Sequence, residues 1–463
     1  MDQTFSQWPP SLWSEDALRW NFPHLSHAQS FDVVIVGAGY SGLWTAHHLL
    51  KRDSSLSIAI LDAQQPGFGA SGRNGGWCSA FSPMSLEAVA AQSSKQQAIE
   101  LQQALIESVD EIGTYIAKSD IECGWHKGGT LSFARIQPQL ERIKDSIKMC
   151  RDFGFDESFL DYITADEARR RVQLPNSLGA SFSPHCAALH PAQLVDGLVR
   201  QLQTQGVHFF GSTRVTRIEP HVVTAQTPKG AVTASSRWII RATEGFTARM
   251  PQFRRDVAPL YSYMIATSPL TENQWGDIGW DNRETISDGR NLVIYAQRTA
   301  DGRIAFGGRG APYQYSSRIG PNFDNNDTIH ALIERSMREM FPSIADIPVT
   351  HRWGGALGVH RDWFTSARID HNTHIASLGG YVGDGVAFSY VAAKEVAQSF
   401  LGVTPNHRPL PIVNHVSPRW EPEPFRYIGI NSLLRLTSRA DETETKTGRR
   451  SRFIDWLLGK LIP

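Results

Sequence analysis

The sequence predicts a mixed fold, α/β plus α+β: a Rossmann-like dinucleotide-binding domain interleaved with a domain built on an antiparallel sheet. Three observations predict it. Residues 33–42 read Val-Val-Ile-Val-Gly-Ala-Gly-Tyr-Ser-Gly, an apolar strand running into a glycine turn and a helix start. Residues 257–349 contain longer segments of alternating character, which suits a sheet with one packed and one open face. Residues 375–401 then return to strand, glycine turn and helix, so the first domain resumes far along the chain.

In the opening unit each glycine has its own task. Gly37 permits the tight turn after the strand. Gly39 leaves room for phosphates, and Gly42 lets the helix pack closely on the strand. The helix N-terminus directs free N–H groups and its positive dipole end at the pyrophosphate. Asp62 closes a second apolar run, Ser-Ile-Ala-Ile-Leu, where a carboxylate accepts from ribose hydroxyls. Residues 67–76 form a glycine-rich loop. Residues 85–116 have a helical pattern, with Leu105, Val109, Ile112 and Ile116 on one face that reads as core. A strand at 130–134, a charged helix at about 138–151 and a helix start at 166–170 follow. Pro191 opens another helix, running to about Gln203. Short strands are expected at 207–210, 215–218, 222–226 and 238–240. The segments 259–267, 292–297 and 303–307 form the alternating sheet, a roof for a pocket. After residue 402 the chain is proline-rich, then polar over 441–450. It ends in an apolar helix behind a basic run. That helix suits docking on the protein's own body or a sister subunit, with a membrane surface as the alternative.

Composition narrows the function. A chain of 463 residues is long enough for two or three domains, and 41% hydrophobic with 20% charged residues is ordinary for a globular enzyme. Lys plus Arg equals Asp plus Glu at 46 each, so no net charge drives binding to nucleic acid. There is no apolar stretch near eighteen residues, and residues 1–30, with scattered Trp8, Trp13 and Trp20, do not resemble a secretory signal. Four cysteines, Cys78, Cys123, Cys150 and Cys186, fit a reducing cytoplasm and read as small buried apolar residues. The group His185, Cys186 and His190 has no recognised ligand spacing, so no metal is expected.

The loop at 67–76 reads Gly-Phe-Gly-Ala-Ser-Gly-Arg-Asn-Gly-Gly. With the turn at 37–42 it heads a series in fixed order: His-Pro-Ala-Gln-Leu at 190–194, Tyr-Ser-Tyr-Met-Ile-Ala-Thr at 261–267, Trp-Gly-Gly at 353–355, the turn at 380–385 and Trp-Glu-Pro-Glu-Pro at 420–424. On these motifs, over about residues 13–431, the chain resembles the D-amino-acid-oxidase-like (glycine/sarcosine oxidase) superfamily of FAD-dependent oxidoreductases. Within it the chain is most similar to the branch containing gamma-glutamylputrescine oxidase.

The resemblance implies a discontinuous FAD-binding domain (27–80, 187–250 and 354–402), a substrate domain (81–186 and 251–353) and a C-terminal tail and helix (403–463). The cofactor-binding set is Gly37, Gly39, Tyr40, Ser41, Gly42, Asp62, Ala70, Ser71, Arg73, Asn74, Gly75, Gly76, Val215, Gly383, Asp384, Gly385 and Val386. Small residues at 70–76 let the backbone approach a flat ring, and Arg73 adds a charge able to reach the phosphates or the flavin edge. The helix after Gly385 points its positive end at charge gathering on reduced flavin, with Asp384 as an N-cap.

Relatives that attach flavin covalently use a cysteine in the C-terminal half or a histidine near the first loop. Here every cysteine precedes residue 187 and the loop has Asn74 and Gly75, so FAD is expected to be non-covalent. The implied reaction converts a small polar amine to an imine, hydrolysed to aldehyde or oxoacid, with O2 reduced to hydrogen peroxide. Tyr263, Tyr295, Arg309 and His360 are the candidate catalytic residues, with Tyr261 and Arg361 nearby. A gamma-glutamylputrescine-like or other primary amine is the first expectation; an aminoalkylphosphonate or N-methyl amino acid is the alternative. Arg303 falls near the position where some relatives hold a lysine beside the flavin, which leaves oxidase against dehydrogenase open. An NAD-linked dehydrogenase and a non-catalytic flavin-binding protein are the readings from other classes.

Overall fold

A computed structural model describes residues 10–400 and 408–461. The described residues hold two eight-stranded sheets. The first runs in the order Ser366–Asp370, Ile375–Gly379, Gly230–Arg241, Gln29–Val36, Ile58–Leu61, His208–Phe210, with Val222–Thr227 and Arg214–Glu219 folded off the long Gly230–Arg241 strand. Its centre is parallel: Gln29–Val36 pairs in parallel with both Gly230–Arg241 and Ile58–Leu61. Parallel strands are covered on both faces, which is why Val33, Val34 and Ile35 are all apolar and fully buried. The helices Tyr40–Arg52, Lys95–Lys118, Pro191–Thr204 and Gly385–Phe400 contribute to the core on one face. The hairpin of Arg214–Glu219 and Val222–Thr227 contributes to a smaller core on the other.

The second sheet runs Val349–Val359, Ala258–Thr267, Ile304–Tyr313, Ile294–Arg298, Thr285–Asp288, Thr130–Ala134, Gly179–Ser183, Asp161–Ile163. It is antiparallel as expected except at one seam, where Thr285–Asp288 lies parallel to Thr130–Ala134. That seam joins the two stretches of chain that build this half. They are connected by a long excursion rather than a hairpin, so nothing forces them to run in opposite directions.

Local signals explain most boundaries. The helical stretch from residue 85 is two helices, Leu86–Gln92 and Lys95–Lys118, because Ser94 leaves the helix and its hydroxyl accepts from Gln97 N to cap the second. The face of Leu105, Val109, Ile112 and Ile116 is buried in the core. Helix Asp327–Met340, inside the segment expected to be sheet, is capped by Asn326 and buries His330, Ile333, Met337 and Met340 at helical spacing. The polar run 441–450, read as tail, is largely the last turns of helix Phe425–Thr447, which ends at Gly448 with φ +65°. Its polar residues face inward onto partners: Glu444 on Arg142 at 2.5 Å and Asp441 on the Asn291 amide at 2.8 Å. No described helix is long and apolar enough to cross a membrane. The expected boundary at 402/403, and Trp8, lie outside the described residues.

Candidate active site

The glycine turn is built as its spacing requires. Gly37 has φ +110°, donates to the Leu61 carbonyl at 2.8 Å, and a Cβ there would sit 2.4 Å from the Ala242 carbonyl oxygen. A Cβ on Gly42 would fall 2.0 Å from the Gly37 carbonyl oxygen, so only glycine lets helix Tyr40–Arg52 approach the strand this closely. Gly39 caps that helix without a side-chain bond, and Tyr40 N donates to Ser71 Oγ at 2.9 Å, joining the turn to the second loop. Asp62 accepts from Ala38 N at 2.8 Å and Gln64 N at 2.7 Å. Burial raises its pKa against the pull of those two bonds.

These elements wall one cavity of about 910 Å³. Its lining includes Asp62, Gln64, Thr213, Val215 and Thr227. Gly37, Gly39, Tyr40, Ser41, Gly69, Ala70 and Ser71 line it too. So do Asn74, Glu244, Ala356, Leu357, Tyr381, Gly383, Gly385 and Val386. Of the expected cofactor residues, Gly42, Arg73, Gly75, Gly76 and Asp384 stand behind this wall. Gly42 packs helix on turn. Asn74 folds the loop, donating to the carbonyls of Ala70 at 3.1 Å and Ser71 at 3.0 Å and accepting from Gly76 N at 2.8 Å. Arg73 turns away from the cavity. It pairs with Asp324 at 2.9 Å and donates at 3.1 Å to the carbonyl of Gly354, on strand Val349–Val359 of the second sheet. Asp324's pKa is raised by burial, with Arg73 pulling it back down.

Several residues at this site were not read from the sequence. Trp13 Nε1 donates to the Asn74 carbonyl at 2.8 Å and Trp353 Nε1 to the Arg73 carbonyl at 2.9 Å, so two buried indoles from widely separated parts of the chain fix the loop. Tyr381 and Ser41 share a hydroxyl bond of 2.8 Å across the cavity wall. Glu244 lines the cavity and accepts from Gly358 N, with further bonds from the backbones of Gly245, Gly380 and Tyr381. Burial nonetheless pushes its pKa up to about 7. It has φ +41°, unusual for a side chain of that size. The only sequence signal was its place just past the strand, before Gly245.

Of the candidate catalytic residues, Tyr263, Tyr295 and His360 do not line the cavity. Tyr263 Oη donates to the Phe323 carbonyl at 2.7 Å, and Tyr261 Oη accepts from Gly320 N at 3.1 Å, so both hold the 315–324 segment. Burial pushes the Tyr263 phenol up to about 12. Tyr295 Oη lies 2.7 Å from Ser262 Oγ, and its ring is pressed against Gly75 and Gly307, where added Cβ atoms would be 2.9 and 2.3 Å away. His360 Nδ1 sits 2.7 Å from the Phe364 carbonyl in the turn beneath Gly380, and burial lowers its pKa. Arg309 pairs in register with Ser262; its side chain lies outside the described part of the structure. Arg361 is bound to Glu421 at 2.9 Å. Arg303 is bound to Asp301 at 2.7 Å and the Thr267 carbonyl at 3.0 Å, and does not line the cavity. His190 caps its own helix by accepting from Gln193 N at 3.2 Å, and Cys186 Sγ contacts Thr285 Oγ1 at 3.3 Å.

The chain matches the family described as FAD dependent oxidoreductase over residues 32–399, and it belongs to that family; its cofactor is FAD. It is 29% identical over 399 residues to the probable oxidoreductase OrdL of Rhizobium meliloti, covering 82% of this chain and 85% of that one. It is 26% identical over 387 residues to gamma-glutamylputrescine oxidoreductase of Escherichia coli, covering 82% and 86%. Among solved structures it superposes on glycine oxidase from Geobacillus kaustophilus with a TM-score of 0.68 at 17% identity, covering 84% of this chain and all of the other, a likeness of fold.

Proposed function

We propose that this FAD-dependent oxidoreductase converts a small polar amine to its imine, which water hydrolyses to an aldehyde or oxoacid, with O2 taking the electrons and leaving as hydrogen peroxide. A primary amine of the gamma-glutamylputrescine kind is the favoured substrate class. The observation that carries the reading is the single cavity that joins Asp62, the Gly37 turn and the Gly383–Gly385 turn. It brings together an acid for a ribose, a glycine turn for a pyrophosphate and a helix N-terminus, three features a flavin dinucleotide uses.

The residues fit the cofactor. Gly37, Gly39, Ala70 and Ser71 put small residues on the wall where a pyrophosphate would lie, and Asp62 would accept from ribose hydroxyls. The N-terminus of helix Gly385–Phe400 favours negative charge at the ring end. We assign the FAD-binding domain to 27–80, 187–250 and 354–402, and the substrate domain to 81–186 and 251–353. When bound, FAD supplies the two-electron acceptor for the amine. The chain's own part is to seat the amine, strip its water and keep its nitrogen neutral. Of the roof residues, Tyr295 packs against Gly75 of the cofactor loop, so Tyr295 with Ser262 forms the proposed amine wall, and Arg309 lies on the strand between theirs.

FAD held non-covalently fits the cysteines. All four are buried, none lines the cavity, and burial pushes Cys123 and Cys186 up to about 12 and Cys150 to about 11, which leaves them unreactive. Acid precipitation is expected to release the yellow colour to the supernatant. An amine panel read by anaerobic bleaching and peroxide release tests the rest. A colourless protein using NAD, or a yellow one inert to the panel, overturns the reading. A reduced protein that stays bleached in air for minutes makes it a dehydrogenase.

A further inference from the structure

We propose that the C-terminal helix pair docks the protein on an anionic membrane surface. Helix Phe425–Thr447 and helix Arg452–Leu461 meet at Gly448. Their acids and cations are sorted by side. Of the acids, Glu444 is buried on Arg142 and Ser451 N, and Asp441 is committed to Asn291 and Leu292 N. The cations Arg435, Arg439 and Lys446 are exposed on one stripe at spacings of four and seven, with Glu442 between them, and Arg449 and Arg452 are exposed beyond. In a chain of zero net charge this leaves five exposed cations against one exposed acid in the stretch from 435 to 452.

The second helix adds the apolar part. Ile454 is buried, while Phe453 and Trp456 are 67% and 58% exposed and stack on each other, centroids 6.1 Å apart. The turn before it is pinned by Arg450 on Asp145 at 2.6 Å, so the two rings are held outward by the fold. Exposed aromatic rings beside Arg and Lys, on a helix too short to span, are the composition of an interfacial helix. The rings enter the headgroup layer and the cations meet lipid phosphates. A second copy is the poorer occupant, because a twofold contact would bring like cations face to face over only two rings.

The test uses the flavin-loaded full chain, floated with phosphatidylcholine vesicles with and without phosphatidylglycerol, at low and high salt. At least about tenfold more protein is expected on the anionic vesicles at low salt, falling to background at high salt. Arg449→Glu with Arg452→Glu is expected to remove about tenfold of that binding, and Phe453→Ser with Trp456→Ser several-fold, with flavin content and unfolding temperature unchanged. Equal binding to both vesicles, or none at low salt, overturns the proposal. So does a concentration-dependent dimer that the Phe453 and Trp456 variant abolishes, which would give the patch to a second copy.

Discussion

The cofactor cavity and the roof over it meet at the loop 70–76 and are specified in opposite ways. The cavity is made by what is missing: at Gly37 and Gly42 a single added carbon collides with backbone. The roof is made by side chains that reach far along the chain. Arg73 finds Asp324, Tyr263 finds Phe323 and Trp353 finds Arg73. A wall of absences is intolerant at each position and sets shape. A wall of long-range bonds fails by degrees and sets alignment between the halves. If this contrast is right, substitutions in the cavity abolish cofactor binding outright, and those in the roof shift stability and substrate constants.

The hardest test is Gly42→Val. Its Cβ would lie 2.0 Å from a backbone oxygen and 3.2 Å from Ile35 Cγ2, with no flexible end to yield on the backbone side. The expected cost is more than about 4 kcal/mol, with flavin lost from the purified protein. Flavin-to-protein absorbance and denaturant unfolding measure it. A stable yellow variant would mean that the turn tolerates opening and that the cavity is less constrained than its geometry.

This contrast also decides what was legible in the sequence. A turn that only glycine can make declares itself, so the strand, turn, helix and Asp62 were read at their places, and twelve of the seventeen expected cofactor residues line the cavity. The roof strands were legible by alternation, but the partners of their tyrosines were not, since Tyr263 and Phe323 are sixty residues apart and bonded through a backbone carbonyl. Arg73 illustrates the limit: a charged residue inside a cofactor loop reads as reaching the phosphates or the flavin edge, yet its guanidinium pairs with Asp324. Trp13 sat in a stretch with no periodicity, so its bond to the Asn74 carbonyl had no local signal. The helix Phe425–Thr447 was hidden because its inward face uses Glu444 and Asp441 where a hydrophobic stripe would be expected.

Two intermediate tests act on carboxylates whose pKa burial raises, Asp324 and Glu244. Asp324→Asn leaves Arg73 buried, its side chain 3% exposed, without a counter-charge, and is expected to cost about 3 kcal/mol. Flavin binding should survive while KM for the amine rises; loss of flavin instead would place the pair in the cofactor site. Glu244 gives a pH signature of similar or smaller size. Its pKa moves from an ordinary 4.5 to about 7 on folding, so the folded state holds the proton more tightly. Stability of the cofactor-free protein is therefore greatest below pH 4.5 as far as this group is concerned, and falls by up to roughly 3 kcal/mol as pH rises through 7. Glu244→Gln should flatten that slope in unfolding curves taken across the interval; an unchanged slope assigns it to other groups.

The smallest effect is the most discriminating. Tyr263→Phe removes one hydroxyl and leaves the ring packed on Gly354 and His330. If the phenol only holds the Phe323 carbonyl, the loss is that of one buried hydrogen bond, about 1 kcal/mol, and turnover changes less than about threefold. Tyr295→Phe is its control, because that hydroxyl bonds Ser262 beside the cofactor loop, where the amine wall is proposed. The expected split is stability loss at Tyr263 and a change in kcat/KM at Tyr295. The reverse split, with turnover falling a hundredfold at Tyr263 and stability untouched, would mean that the 315–324 segment swings away during the reaction and frees the phenol for substrate. The roof would then be a moving part, and its network of long-range bonds a closed resting state.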